Sequence, residues 1–305
     1  MKIAITGSRG FIGTALVPSL TAAGHQVIRL VRSEQQRAAD TIYWSPATAY
    51  VDTHNLEGIQ AVIHLAGEQI SGRWTPAKKK KILTSRVQGT RLLAEALVQL
   101  RQPPQVMVCA SAIGFYGNRG EEWLQEESPP GSGFLAEVCQ EWEAASEPAA
   151  NKGIRVVRLR TGIVLGTQGG ALAQMLPPFR MGVGGVIGPG DQYMSWIALD
   201  DLIGAYQHAL TTLSLQGPVN AVSPNPVTNR EFTKTLGSVL SRPTVFPMPS
   251  FAVRLAFGEM GVELLLSSAR VRPARLLSSG YPFRYAELES ALRHVLGQNA
   301  LKKTG

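Results

Sequence analysis

The sequence is poor in cysteine. Cys109 and Cys139 are the only two, too few for a disulfide framework, and their spacing fits no zinc pattern. Five histidines, His25, His54, His64, His208 and His294, show no metal-ligand spacing. His64 ends an apolar run and reads as a satisfied core residue. No apolar stretch reaches the ~18 residues that a spanning helix needs. Met1-Lys2 runs straight into Ile3-Ala4-Ile5, leaving no room for a signal peptide's basic head, apolar stretch and cleavage site, so a cytoplasmic location is expected. A Gly-x-Ser-x-Gly elbow and a phosphate-loop Lys-Ser/Thr are also missing. The composition left over is ordinary and globular, 44% apolar and 17% charged. Its length suits two domains, or one large α/β unit with an appendage.

Charge is present in excess of one sign. Thirty Lys and Arg stand against 22 Asp and Glu, a net +8, which suits nucleic acid, an anionic surface or an anionic small ligand. The distribution weakens the first two, and an anionic small ligand explains the excess equally well. Residues 241–305 hold nine basic and four acidic residues, five of the eight net charges, while residues 120–151 carry eight glutamates and no Lys or Arg. Lys78–Lys81 opens a helix-like stretch and reads as a solvated face. No zinc finger, aromatic-basic RNA motif or basic heptad region occurs. The expected partner is a small molecule, with neither nucleic acid nor a membrane; monomer and homodimer both stay open.

Short β-branched runs alternate with longer helical patterns over the first two thirds, as in a parallel sheet covered on both faces. The expected strands are Lys2–Thr6, Gln26–Val31, Ala61–Leu65, Gln105–Ala110 and Arg155–Arg160. The expected helices are Phe11–Ala23, Thr75–Leu100 and Phe134–Asn151. Right-handed crossovers then give an α/β, Rossmann-type doubly wound sheet. Pro18 falls inside the first helix, where it costs about 3 kcal/mol or kinks the axis. Five glycines between Gly182 and Gly190 mark an irregular loop. Ser195–Leu199 reads as a strand and Asp200–Leu213 as a helix. Thr228 and Glu231 form a capping box for a helix to about Leu240. The expected organisation is a dinucleotide-binding domain over 1–240, with interleaved substrate-binding segments at about 166–200, and a small, basic, helical module over 250–300.

Strand, glycine turn and helix meet at Thr6-Gly7-Ser8-Arg9-Gly10-Phe11-Ile12-Gly13. Gly7 allows the sharp turn, Gly10 the approach of a pyrophosphate, and Gly13 close helix–sheet packing, with the helix N-terminus facing the phosphates. The pattern predicts a dinucleotide site. NAD sites place a carboxylate after the second strand for the ribose 2′-hydroxyl. Here the stretch reads Leu30-Val31-Arg32-Ser33, and Arg9 and Arg32 can clamp a 2′-phosphate instead. NADP(H) is the expected cofactor.

With His64-Leu65-Ala66-Gly67 and Ser111-Ala112-Ile113-Gly114-Phe115-Tyr116-Gly117 added, the sequence resembles the extended and atypical short-chain dehydrogenase/reductases. Trp142-Glu143, Arg160-Thr161-Gly162-Ile163-Val164-Leu165-Gly166, Gly169-Gly170-Ala171-Leu172, Gly184-Gly185, Gln192 and Ser195-Trp196-Ile197 narrow the resemblance to an epimerase-like branch known in places as cell-division inhibitor homologues. It spans essentially the whole chain, including Pro273 and Gly280. The resemblance implies a seven-stranded Rossmann core and cofactor contacts from Gly7, Arg9, Gly10, Phe11, Ile12, Gly13, Arg32, Leu65, Ala66, Gly67, Arg86 and Val164.

The same resemblance exposes what is missing. Active members carry Tyr-x-x-x-Lys on a helix and Ser or Thr after the fourth strand, which move and steady a proton while hydride transfers. None of the seven tyrosines here has Lys four residues on. Phe134 and Val138 fill the pair, and Ala112 fills the hydroxyl position with Ser111 one residue early. Tyr116, Tyr193 and Ser111 are the candidate substitutes. Two functions stay open: an NADP(H)-binding oxidoreductase- or epimerase-like protein acting on a small molecule, or a dinucleotide-binding scaffold or sensor acting through protein contacts, in cell division for example.

Overall fold

The computed structural model describes residues 1–36 and 38–298; Lys302 and Lys303 of the basic C-terminal stretch lie outside them. In chain order the first half comprises β1 (Lys2–Thr6), α1 (Phe11–Ala22), β2 (Gln26–Val31), β3 (Thr41–Ser45), β4 (Tyr50–Val51), α2 (Thr53–Leu56), β5 (Ala61–His64), α3 (Pro76–Val98), β6 (Val106–Ala112), β7 (Trp123–Leu124), α4 (Phe134–Ala144) and α5 (Glu147–Asn151). The second half comprises β8 (Arg155–Thr161), β9 (Ile163–Leu165), α6 (Gly170–Arg180), β10 (Tyr193–Met194), β11 (Trp196–Ala198), α7 (Leu199–Thr211), β12 (Gly217–Ala221), β13 (Val227–Thr228), α8 (Asn229–Leu240), α9 (Ser250–Leu265), β14 (Arg270–Val271), α10 (Ala274–Ser278) and α11 (Leu288–Val295).

The main sheet runs β12-β8-β6-β5-β1-β2-β3-β4. All its pairings are parallel except the short β3–β4 edge. Alternation along the strands feeds two separate cores. Ile3, Ile5, Ile63, Val108 and Val157 face α1 and α7 through Leu16, Leu20, Tyr206 and Leu210. Ala4, Ile28, Val62 and Met107 face α3 through Leu93, Ala94 and Leu97, with Trp44 of β3. Full burial of each such aliphatic side chain contributes roughly 1.5–3 kcal/mol, and burial of both faces is why these strands read as unbroken apolar runs.

The strand order reverses between β1 and β5, so the β1–α1 turn and the segment after β5 open side by side, where an α/β sheet holds its ligand. Pro18 is accommodated because it and Thr14, four residues earlier, both lie on the exposed face of α1, leaving the freed carbonyl to water. The single helix expected over 134–151 is two, α4 and α5, separated at Ala145-Ser146 ahead of Pro148.

The segment after residue 250 has no core of its own among the described residues. In α9, Met260 and Leu264 pack against Trp74 and Ile82. Strand β14 pairs with β7. Leu276 and Tyr281 join the α1–α7 core. Leu288, Ala291 and Leu292 of α11 share a core with Trp196, Phe232 and Leu236. Asp201, at the start of α7, accepts the backbone N–H groups of Arg284 (2.8 Å) and Tyr285 (2.9 Å), and Tyr281 donates its hydroxyl to the Asp201 carbonyl (2.7 Å). The small helical module expected over 250–300 thus docks along its length, its elements each anchored to a different part of the main body.

Candidate dinucleotide site and its polar neighbour

The β1–α1 turn is built around glycine. Gly7 has φ +69°, and a Cβ there would lie 2.9 Å from the Leu65 carbonyl carbon. A Cβ on Gly13 would lie 2.3 Å from the Gly7 carbonyl oxygen. Gly10 is exposed, and its hypothetical Cβ meets only that same oxygen, at 3.3 Å. Gly10 is also the N-cap of α1, where no side chain caps the helix and no acidic residue sits in the first turn. The first-turn N–H groups and the positive end of the helix dipole are therefore left for an anion.

Thr6 joins this turn to the segment after β5. Its Oγ1 accepts from Leu65 N–H (3.1 Å) and Ala66 N–H (3.2 Å) and lies 2.8 Å from His64 Nδ1. With both lone pairs used, the hydroxyl proton goes to Nδ1, so His64 carries its own proton on Nε2. Nε2 is buried without a partner, so His64 is only half satisfied, contrary to the sequence expectation. Burial pulls its pKa down to about 4 and keeps the ring neutral. Thr6 went unnoticed in the sequence, although its place immediately before Gly7 was the signal.

The other expected cofactor residues surround this cradle. Arg9 and Arg32 are exposed, Arg32 immediately beyond the end of β2, and neither makes a hydrogen bond or ion pair among the described residues. Leu65 and Ala66 are half-buried beside Gly7, and Arg86 packs over Gly67, whose Cβ would lie 3.3 Å from the guanidinium carbon. Arg86 is half-buried, donating to the carbonyls of Glu68 (2.9 Å) and Ile82 (3.2 Å). Phe11 differs from expectation. Its ring fills a niche lined by Gly166, Gly169 and Gly170, where added Cβ atoms would lie 2.5 to 3.0 Å from it, next to the Val164 carbonyl. This leaves Phe11, like Ile12, with only its backbone N–H to offer a ligand.

Beyond β5, at the ends of β6 and β8, the polar groups are joined to one another. Glu143 accepts from Ser111 Oγ (2.7 Å) and, through both oxygens, from Arg160 (2.8 Å each). Arg160 Nη1 donates to Tyr116 Oη (3.0 Å), and its guanidinium lies 3.4 Å from the Phe115 ring centre. Tyr116 donates to Asn220 Oδ1 (2.7 Å), and Asn220 Nδ2 donates to the Arg272 carbonyl (3.0 Å). Ser111, Glu143, Arg160, Tyr116 and Asn220 are all buried. Burial raises the Tyr116 phenol to about 12 against the pull of Arg160. Tyr116 and Ser111, candidates for proton transfer by sequence, are members of this closed network and hold β6, β8, α4 and β12 together. The legible signs were Arg160, one of three arginines in β8, and Glu143 on α4.

Phe134 and Val138 lie in an apolar cluster with Ile70, Trp74, Ile82, Leu83 and Leu135, closed from outside by Met260 and Leu264 of α9. Phe134 meets Trp74 edge to face at 5.1 Å. Glu263 of α9 caps α4, accepting from the N–H groups of Phe134 and Leu135 (2.9 Å each). Gly133 is required there, with φ +102° and a hypothetical Cβ 2.8 Å from the Glu263 carboxylate. Tyr193 is the third sequence candidate. It is half-buried, its hydroxyl makes no hydrogen bond among the described residues, and its ring stacks on Arg270, which lies between it (4.4 Å) and Trp123 (4.0 Å).

Two family models match successive parts of the chain. The model of the NAD dependent epimerase/dehydratase family matches residues 3–221, and that of a domain of unknown function, DUF1731, matches 248–295. The chain is 42% identical over 294 residues to epimerase family protein Mb2239 of Mycobacterium bovis, covering 96% of this chain and 97% of that one. The crystal structure of human epimerase family protein SDR39U1 (isoform 2) with NADPH superposes with a TM-score of 0.89 at 36% identity, covering 97% of this chain and 99% of the human one. UDP-N-acetylglucosamine 4-epimerase of Bacillus cereus shares the fold, with a TM-score of 0.76 at 18% identity over 98% of this chain and 99% of that one.

Proposed function

Because the chain belongs to the NAD dependent epimerase/dehydratase family, we propose that it is an NADP(H)-binding, oxidoreductase- or epimerase-like protein acting on a small molecule without the Tyr-x-x-x-Lys pair. The observation that carries the reading is the open cradle, an uncapped α1 N-terminus flanked by the unpaired cations Arg9 and Arg32. The first-turn N–H groups after Gly10 hold the pyrophosphate, and the two arginines hold the 2′-phosphate by charge-assisted hydrogen bonds. Leu65, Ala66, Gly67 and Val164 flank the bound nucleotide, with Arg86 steadying Gly67 from behind. The human relative solved with NADPH supports the choice of dinucleotide. When bound, the nicotinamide supplies or takes up hydride. Tyr193 is the proton donor of this reading, since its hydroxyl alone among the three candidates is not held in the buried network.

Titration of both reduced dinucleotides tests the cofactor. NADPH should bind at least about tenfold tighter than NADH, about 1.4 kcal/mol, and Arg32→Ala should erase most of that preference. Equal affinities would overturn the assignment. Single-turnover NADPH oxidation against carbonyl compounds and nucleotide sugars tests the chemistry, with Tyr193→Phe expected to slow the reaction by about 10² or more.

A second reading, a dinucleotide-binding scaffold or sensor, is favoured by one observation. The positions of the missing pair are filled by the Phe134–Val138 cluster and sealed by α9. Tight NADPH binding with no turnover on any substrate would select it.

A further inference from the structure

The face of the molecule formed by residues 180–188, 242–250 and the first turns of α9 is apolar and open. Val183 is 50% exposed and Leu255 82%, with Phe246, Val245, Met181 and Phe251 between these values. A grouped display of this kind is unlike the scattered surface leucines of an ordinary monomer and marks an interaction site. The side chains stand on a fixed frame. Met248 N–H donates to the Val186 carbonyl and Gly188 N–H to the Met248 carbonyl, each at 2.8 Å, and Arg242 Nε donates to the Arg180 carbonyl at 2.9 Å. A Cβ on Gly185 would lie 1.9 Å from the Phe246 carbonyl oxygen, so the two segments cannot be packed closer. Pro243, Pro247 and Pro249 stiffen the strip that carries Val245 and Phe246.

The charge within these two segments has one sign, and of the carboxylates that border them, Asp191 and Glu259, the second is paired with Lys79 at 2.7 Å. Residues 176–190 and 241–258 contain Arg180, Arg242 and Arg254, all exposed, and no aspartate or glutamate. We infer that this face docks on an anionic lipid surface, with Phe246, Phe251 and Leu255 entering the headgroup boundary and the three arginines meeting the lipid phosphates. Protruding apolar tips with a basic rim are what an interface of fluid chains and anionic headgroups accepts without shape matching. A second copy of the chain fits poorly, because a two-fold contact through this face brings its three arginines against their copies, while the bordering Glu259 is already paired with Lys79. A partner's helix needs a groove, and side chains this exposed do not line one. The face contains no contiguous apolar run, since it is assembled from two distant segments. The inference is independent of the chemistry proposed above.

The test is flotation of the full chain with vesicles of phosphatidylcholine alone, or mixed equally with phosphatidylglycerol, at low and high salt. Binding should need phosphatidylglycerol and weaken with salt. The triple variant Phe246→Ser, Phe251→Ser, Leu255→Ser should bind at least about tenfold more weakly. Its melting temperature and NADPH affinity should match the parent, since these side chains support nothing beneath them. Arg254→Glu should cause a smaller loss, and Phe251→Trp should be quenched by brominated lipid. The inference falls if the parent does not float with the anionic vesicles, or if the triple variant floats equally well. It falls too if the face instead drives self-association or binding of an acidic peptide, either one abolished in the triple variant without any vesicle binding.

Discussion

Two neighbouring stretches of the same sheet edge treat their polar groups in opposite ways. At the ends of β1, β2 and β5, first-turn backbone donors and the side chains of Arg9 and Arg32 have no partner among the described residues. At the ends of β6 and β8, Ser111, Glu143, Arg160, Tyr116 and Asn220 are tied to one another and buried. Unsatisfied groups at an accessible rim are free to bind, whereas satisfied groups in a dry interior hold elements together. The same kind of residue, a cation at a strand end, is thus left open in one place and tied into the fold in the other.

The largest effect that would break this contrast is at Arg160. Arg160→Ala leaves the Glu143 carboxylate buried without its cation, and should lower unfolding free energy by about 3–5 kcal/mol in denaturant titration. A loss below about 1 kcal/mol would mean that the network is a loose surface arrangement and its hydroxyls are available for chemistry.

Acid should next distinguish the cradle's support from the network. His64 is held neutral, with its folded pKa lowered to about 4. Its contribution is complete above the unfolded value near 6.5 and is lost as pH falls through about 4, because the unfolded chain then binds the extra proton. Stability should fall by about 3 kcal/mol over that window, and His64→Gln should flatten this part of the profile.

Gly10→Ala separates binding from folding. The added methyl meets only the Gly7 carbonyl oxygen at 3.3 Å, so the melting temperature should barely change. The methyl stands where the pyrophosphate approaches, so NADPH affinity should drop by about tenfold or more in calorimetry. The mirror image is a loss of stability without a loss of binding. Tyr116→Phe should lower stability by about 1–3 kcal/mol, leaving Asn220 and Arg160 each short of a partner, with no change in NADPH affinity.

How much of this was legible followed from the kind of signal. The glycine turn, β1, β2 and the Thr228–Glu231 capping box are local devices, and local devices can be read directly. Strands β3 and β12 were not foreseen. Thr41–Ser45 is a short strand next to the sheet edge that carries a tryptophan, and Gly217–Ala221 opens with Gly-Pro, which reads as a turn. The roles of Tyr116 and Ser111 were misplaced for a different reason. Whether a hydroxyl faces a cleft or a buried carboxylate depends on Glu143 and Asn220, and nothing in the spacing places those beside it.

The ring of Phe11 in its niche of Gly166, Gly169 and Gly170 has a consequence for how this chain can vary. Four positions on two loops share one volume. An alanine at Gly166 would press on the ring from 2.5 Å, and the chain could keep that methyl only by exchanging Phe11 for a smaller side chain in the same step. Reversing the order, with the ring trimmed first, leaves a hole at the joint between the first helix and the α6 loop. Neither change is neutral alone. Library selection over these four codons should therefore return paired replacements, Gly166 enlarging only in clones where Phe11 has shrunk, while Gly170, at φ +73°, stays glycine.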